Sequence, residues 1–109
     1  MYKYFNRTCN GVAPLEAQDY MYYVYVLLSQ KDGFWYTGYT DDLKRRFTEH
    51  NKGLVYATRK RRPFLLIYYE AGLNKDDAKM RETYLKSGMG KRYLKNRLKF
   101  YFNENRRGL

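Results

Sequence analysis

The sequence predicts a small α/β domain, a three-stranded antiparallel sheet flanked by helices in the order β-β-α-β-α-α. Three observations predict it. Tyr22–Ser29 and Phe34–Tyr39 are short runs rich in β-branched and aromatic residues, separated by Gln30-Lys31-Asp32-Gly33, which is polar and ends in glycine as a hairpin loop does. Phe64–Ala71, FLLIYYEA, is a third, nearly continuous apolar run, the pattern of a central strand buried on both faces. The stretches after the second and third runs carry apolar residues at helical spacing, each entered through capping chemistry.

The first two runs set a register. Pairing Ser29 with Phe34 across the loop puts Leu27 opposite Tyr36 and Tyr25 opposite Gly38. Opposed residues share a face, so Tyr25 and Tyr36 point the same way, and Gly38 leaves space beside Tyr25. Thr40-Asp41-Asp42 supplies an N-cap before Leu43. In the helix that follows, Leu43, Arg46, Phe47 and His50 fall at i, i+3, i+4 and i+7, on one stripe facing the sheet. Hydrophobic packing alone does not ask for an arginine and a histidine there. Lys52-Gly53 closes the helix with a cation and a glycine.

Asn74 caps a second helix running from about Lys75 to Ser87, with Asp76 and Asp77 as first-turn acids. Ala78, Glu82 and Leu85 share one of its faces. A carboxylate between two apolar residues needs a partner, and Arg46 or a lysine would make a plain salt bridge with it. Ser87-Gly88-Met89-Gly90-Lys91 lacks the spacing of a phosphate-binding loop, because the first glycine of that motif would fall at Leu85, and reads as a hinge between helices. From Gly90 a last helix turns Leu94, Leu98, Tyr101 and Phe102 inward, and Asn103 to Leu109 frays. Residues 1–20 show neither strand nor helix period, contain Asn10-Gly11 and Pro14, and precede Met21. They read as a flexible N-terminal extension to a domain at 21–105, with 106–109 a C-terminal tail. A chain of 109 residues has room for one such domain and not for two.

Charge narrows the partners. Lysine and arginine number 22 against 11 aspartates and glutamates, a formal net charge of +11. So basic a chain attracts polyanions, nucleic acid first and an anionic membrane surface second. Arg59, Lys60, Arg61 and Arg62 stand in a row within the loop LVYATRKRRP, and Lys91 and Arg92 open the last helix; these six are candidate phosphate contacts, with a merely solvated basic surface as the alternative. No apolar run reaches the roughly 18 residues of a spanning helix, and the opening Met1-Tyr2-Lys3-Tyr4 is not that of a signal peptide, so a cytoplasmic location is expected. A single cysteine, Cys9, and a single histidine, His50, exclude an intramolecular disulfide and a zinc site of the usual Cys/His spacing.

Tyr23-Val24-Tyr25, then Tyr36-Thr37-Gly38, then Arg46, with a glutamate further on, resembles the GIY-YIG nuclease family. The closest likeness is to its small stand-alone bacterial type, which is similar to the N-terminal nuclease domain of the UvrC excision-repair subunit. YVY stands in place of GIY and YTG in place of YIG, so the family's glycine is Tyr23 here. The resemblance covers about residues 21 to 105. It implies a metal-dependent DNA endonuclease serving repair or recombination, with catalytic residues Tyr25, Tyr36, Arg46, His50 and Glu82, and Mg²⁺ or Mn²⁺ held by Glu82.

The chemistry suits those residue types. In-line attack of water on a phosphodiester builds charge on the equatorial and leaving oxygens. A forked, permanently charged guanidinium such as Arg46 matches phosphate oxygens, and a single carboxylate with waters is an ordinary way to hold Mg²⁺. Tyr25 is the expected general base, its phenol needing nearby cations to fall below its usual pKa of about 10. Tyr36 would position the water or the phosphate, and His50 would share the base role, orient Tyr36 or be purely structural. Two other classes stay open: a catalytically inactive nucleic-acid-binding module, and a domain that recruits a repair partner.

Overall fold

The computed structural model describes residues 20–107. The expected N-terminal extension therefore lies outside the described residues apart from Tyr20, as does the end of the C-terminal tail. The elements are β1 (Tyr22–Ser29), β2 (Trp35–Thr40), α1 (Leu43–Asn51), β3 (Phe64–Gly72), α2 (Lys75–Lys86), α3 (Gly88–Arg97) and α4 (Lys99–Arg107). The strands form one antiparallel sheet in the order β2-β1-β3. The α/β class and the strand count are those expected, and the hairpin register is too: Tyr25 pairs with Gly38 and Leu27 with Tyr36.

Three details differ. The last helix is two helices, because Leu98 leaves helical geometry at φ −107° and ψ 20°. The chain re-enters a helix that runs through Arg107, so Asn103 to Arg107 are helical rather than frayed. After that break Phe102 stacks on Trp35, ring centres 5.7 Å apart and planes 9° from parallel. The expected Ser87–Lys91 hinge narrows to one residue. Ser87 caps both helices: its hydroxyl donates to the Tyr84 carbonyl at 2.6 Å and accepts from the Gly90 amide at 3.2 Å. A Cβ on Gly90 would overlap the Tyr84 carbonyl, so only glycine lets α3 turn back so tightly on α2.

The third difference is that β3 is an edge strand, not the central one. Leu65 and Tyr69 are 41% and 53% exposed on it, whereas Val24 to Leu27 of β1 are all buried. An apolar run does not distinguish a strand buried on both faces from an edge strand whose outward residues are leucine and tyrosine. β3 also carries a bulge. Val26 pairs with Tyr68 and Leu27 with Leu66, which leaves Ile67 as the extra residue. Ile67 and Tyr68 consequently both pack on the α2 side, while Phe64 and Leu66 pack on the α1 side.

Strand alternation divides β1 between two cores. Val24 and Val26 meet Ala78, Leu85 and Leu94 from α2 and α3. Tyr25 and Leu27 meet Phe64, Tyr36, Leu43, Phe47 and Leu66 on the other face, beneath α1.

Candidate active site

Tyr25 is the large polar side chain that the central strand buries under α1, and it is 1% exposed. Its ring lies across Gly38: a Cβ there would sit 2.5 Å from the phenolic oxygen. The glycine is thus a steric requirement of the tyrosine opposite it. Asp42 caps α1 by accepting from the Arg45 amide at 3.0 Å. That start angle puts Leu43 and Phe47 against the sheet and buries His50 completely.

His50 joins the site together. Its Nε2 lies 2.8 Å from the Tyr25 hydroxyl and its Nδ1 lies 2.7 Å from Oγ1 of Thr58, itself fully buried. The rings of Tyr36 and His50 are 5.0 Å apart, and those of Tyr25 and His50 5.7 Å. Burial, and then the charge of Arg46, push the His50 pKa down to about 4, so the ring is neutral at pH 7. The Arg46 guanidinium is close enough to the Tyr25 hydroxyl to favour its charged form. The tautomer in which the phenol donates to Nε2 and Nδ1–H donates to Thr58 gives the Tyr25 proton an acceptor.

Burial raises the Tyr25 pKa to about 12, and the neighbouring Arg46 only partly offsets it. The expectation that nearby cations would lower this phenol therefore meets a larger opposing cause, desolvation. Tyr25 is a neutral phenol at pH 7.

Arg46 is half-buried, and its carboxylate partner is Glu49, 3.1 Å away. Glu82 is not its partner. Glu82 pairs instead with Lys86 one turn along α2, at 3.0 Å, with the carboxylate 21% exposed and the lysine 55% exposed. The charge of Glu82 reaches Tyr25 and contributes to raising its pKa, so the carboxylate belongs to the same electrostatic neighbourhood. Among the described residues no three His, Cys, Asp or Glu side chains converge. A partly exposed lone carboxylate with an exposed lysine partner fits a hard cation that keeps most of its waters, and not a zinc-type site.

The basic loop divides. Arg61 closes the hairpin: its Nε pairs with Asp32 at 2.7 Å and its Nη2 donates to the Phe34 carbonyl at 3.1 Å. The guanidinium holds the Asp32 carboxyl down at about 2. Arg59 lies 4.7 Å over the Tyr56 ring, Arg62 donates to the Arg59 carbonyl at 3.0 Å, and Lys60 is exposed. Lys91 and Arg92 are exposed on the first turns of α3. Three residues escaped the sequence reading. Thr58 anchors His50, Glu49 holds Arg46, and the Asn51 side chain bonds both the amide and the carbonyl of Phe64, at 2.7 and 3.2 Å. Glu49 had a local signal, three positions after Arg46 on one helix. Thr58, inside a loop that reads as basic, had none.

A three-stranded α/β domain with two tyrosines, an arginine and a histidine gathered on the sheet defines a class of small catalytic domain. Residues 21–94 match the model of the GIY-YIG catalytic domain, and the chain belongs to that family. Its members are endonucleases, which act on DNA and generally use divalent metal ions. The chain is 45% identical over 67 residues to the UPF0213 protein CPE1444 of Clostridium perfringens, spanning 61% of this chain and 71% of that one. It is 40% identical over 74 residues to the UPF0213 protein YazA of Bacillus subtilis, spanning 66% and 71%. The solution NMR structure of the UPF0213 protein BH0048 from Bacillus halodurans is 42% identical, with 68% of this chain and 81% of that one covered and a TM-score of 0.43. No helix among the described residues is long and apolar enough to cross a membrane.

Proposed function

We propose that the chain is a metal-dependent DNA endonuclease that hydrolyses phosphodiester bonds in repair or recombination, working in the cytoplasm. The observation that carries this is the buried row Tyr25–His50–Thr58, which offers a proton path beside the half-buried, phosphate-matching Arg46.

The proton bookkeeping starts from a neutral phenol and a neutral imidazole. As an attacking water gives its proton to the Tyr25 oxygen, the phenol's own proton passes to Nε2 of His50, so the tyrosine never has to stand as a phenolate. Arg46 binds the non-bridging oxygens of the scissile phosphate, and Tyr36 orients the water or the phosphate. Arg46 is also the second cause that keeps His50 unprotonated. A bound phosphate offsets that charge and makes His50 a stronger base when substrate arrives. Glu82 would hold Mg²⁺ or Mn²⁺, which supplies Lewis-acid neutralisation of phosphate and leaving-group charge when bound. Arg59, Lys60 and Arg62 with Lys91 and Arg92 serve as phosphate contacts, while Arg61 serves the hairpin.

The test is Glu82→Gln against parent, with single-stranded, duplex, nicked and branched DNA and with Mg²⁺ or Mn²⁺. The amide keeps the side-chain size and removes the anion, so cleavage should be abolished, DNA binding kept or tightened, and the melting temperature little changed because the exposed Lys86 ammonium can return to water. Retained cleavage would remove Glu82 from the mechanism. A second reading, a catalytically idle nucleic-acid-binding module, draws on the burial of Tyr25 and the Glu82–Lys86 pair. Salt-sensitive DNA binding by the parent, with no cleavage under either metal, would select it.

A further inference from the structure

We propose that the groove between the β1–β2 turn and α3 seats an unpaired nucleotide of the substrate, its base stacked on Phe34 and its flanking phosphates on Lys91 and Lys95. This rests on the DNA reading above and adds the kind of DNA preferred.

The groove has a volume of about 430 Å³ and is lined by Gly33, Phe34, Trp35, Lys91 and Lys95. Phe34 is 71% exposed, an arrangement that leaves most of an apolar ring in water. The ring is exposed on a braced turn, not on a slack loop. The Phe34 amide donates to Asp32 Oδ1 at 2.9 Å, its carbonyl accepts from Arg61, and Arg61 in turn pairs with Asp32. The amides of Lys31 and Asp32 both donate to Ser29 Oγ at 3.1 Å. Behind the groove Trp35 is fixed by its stack on Phe102. A hydrophobic ring held out rigidly is already organised for a flat partner.

The other wall is cationic. Lys91 and Lys95 lie one turn apart on α3, both exposed, and neither pairs with a carboxylate among the described residues. Arg45, Arg46, Arg61, Arg81 and Lys86, by contrast, all have carboxylates. An aromatic face with two uncommitted ammonium groups is complementary to a nucleotide. A base within a duplex has both faces covered by its neighbours, so a ring adds nothing for a duplex that cations do not already supply. An unpaired base has a free face.

The experiment measures binding of the full chain, in EDTA so that no cutting occurs, to two DNA duplexes of the same sequence. One is blunt, and the other ends in a short single-stranded overhang carrying 2-aminopurine. The parent should bind the overhang form more tightly and quench the 2-aminopurine. Phe34→Ala should lose roughly 5- to 150-fold of overhang affinity, the worth of one stacked base, together with the quench, and should leave blunt-end binding and the melt unchanged. Phe34→Trp should retain both. Lys91→Ala with Lys95→Ala should lower the salt slope on the overhang by up to about 1.4, two single-strand phosphate contacts. Equal affinity of the parent for both duplexes, or Phe34→Ala binding the overhang as the parent does, overturns the proposal while leaving the nuclease reading standing. Loss of self-association or of a protein contact in Phe34→Ala, with DNA binding intact, overturns it in favour of a protein surface. A parent that binds neither duplex removes the DNA reading itself.

Discussion

The two faces of the sheet are built from the same strand and do different work. On the α2–α3 face Val24 and Val26 meet Ala78, Leu85 and Leu94, and polar groups appear only at the margin. There Tyr68 donates to Glu70 at 3.0 Å, and Arg81 pairs with Glu70 at 2.8 Å, with both charges about one-third exposed. On the α1 face the centre itself is polar, with a buried phenol, imidazole and threonine hydroxyl in a row. Burying such groups costs free energy unless each finds a partner, and no buried side-chain nitrogen or oxygen among the described residues is left without one. The difference teaches that alternation along β1 lets one face hold the domain together while the other keeps a costly, fully satisfied polar chain for chemistry.

If that division is right, mutations on the two faces should separate stability from activity. The largest stability effect should come from Leu85→Ala, since Leu85 is 1% exposed in the aliphatic core. It should cost roughly 2–5 kcal/mol in urea unfolding while leaving kcat unchanged per folded molecule. A loss of less than about 1 kcal/mol would show that α2 is not held as its packing suggests.

The next effect is in pH. His50 titrates at about 4 in the folded chain because it is buried, against roughly 6.5 when unfolded. A base whose folded pKa is depressed gives stability that is fully present above the unfolded value and is lost as pH falls toward the folded one. Unfolding free energy should therefore drop by about 3 kcal/mol between pH ~6.5 and ~4, at 1.36 kcal/mol per unit. Asp32, held at about 2 by Arg61, acts below that window. Replacing His50 by Gln should flatten the slope within it. An unchanged slope would place the acid sensitivity elsewhere, and the α1 face would no longer be the titrating one.

The legible parts of this molecule were those with local rules. The hairpin register followed from loop length and alternation, which is why the Tyr25–Gly38 pair could be read before any coordinates. The i, i+3, i+4, i+7 stripe put His50 against the sheet, where it is found. What the residues alone did not reveal depends on non-local contact. Thr58 meets His50 across a loop, and Arg61 reaches back to Asp32 across 29 positions. Within RKRR nothing distinguishes the arginine that braces a turn from those facing solvent. The edge position of β3 was hidden because its exposed Leu65 and Tyr69 look like core residues. The direction of the Tyr25 shift is hidden for a related reason: neighbouring cations are visible in a sequence, but the depth of burial that outweighs Arg46 is not.

The smallest stability effect of the three, and the sharpest test of the α1 face as the chemical one, is at Thr58. Thr58→Val keeps the β-branched shape but removes the oxygen bonded to His50 Nδ1, the acceptor in the tautomer the mechanism uses. With that acceptor gone, the tautomer that leaves Nε2 free for the Tyr25 proton loses its preference. The buried N–H left unpaired should cost roughly 1–2 kcal/mol. Because Thr58 is fully buried, kcat should fall while KM holds, and the acidic limb of the pH–rate profile should move. Thr58→Ser restores a hydroxyl and should recover most of the rate, even though it loses a methyl group from the packing. ¹⁵N chemical shifts of His50 report the tautomer directly and should change in the valine variant alone. If valine and serine variants are equally slow, packing and not the hydrogen bond is what Thr58 supplies. Full activity in the valine variant would remove His50 orientation from the mechanism.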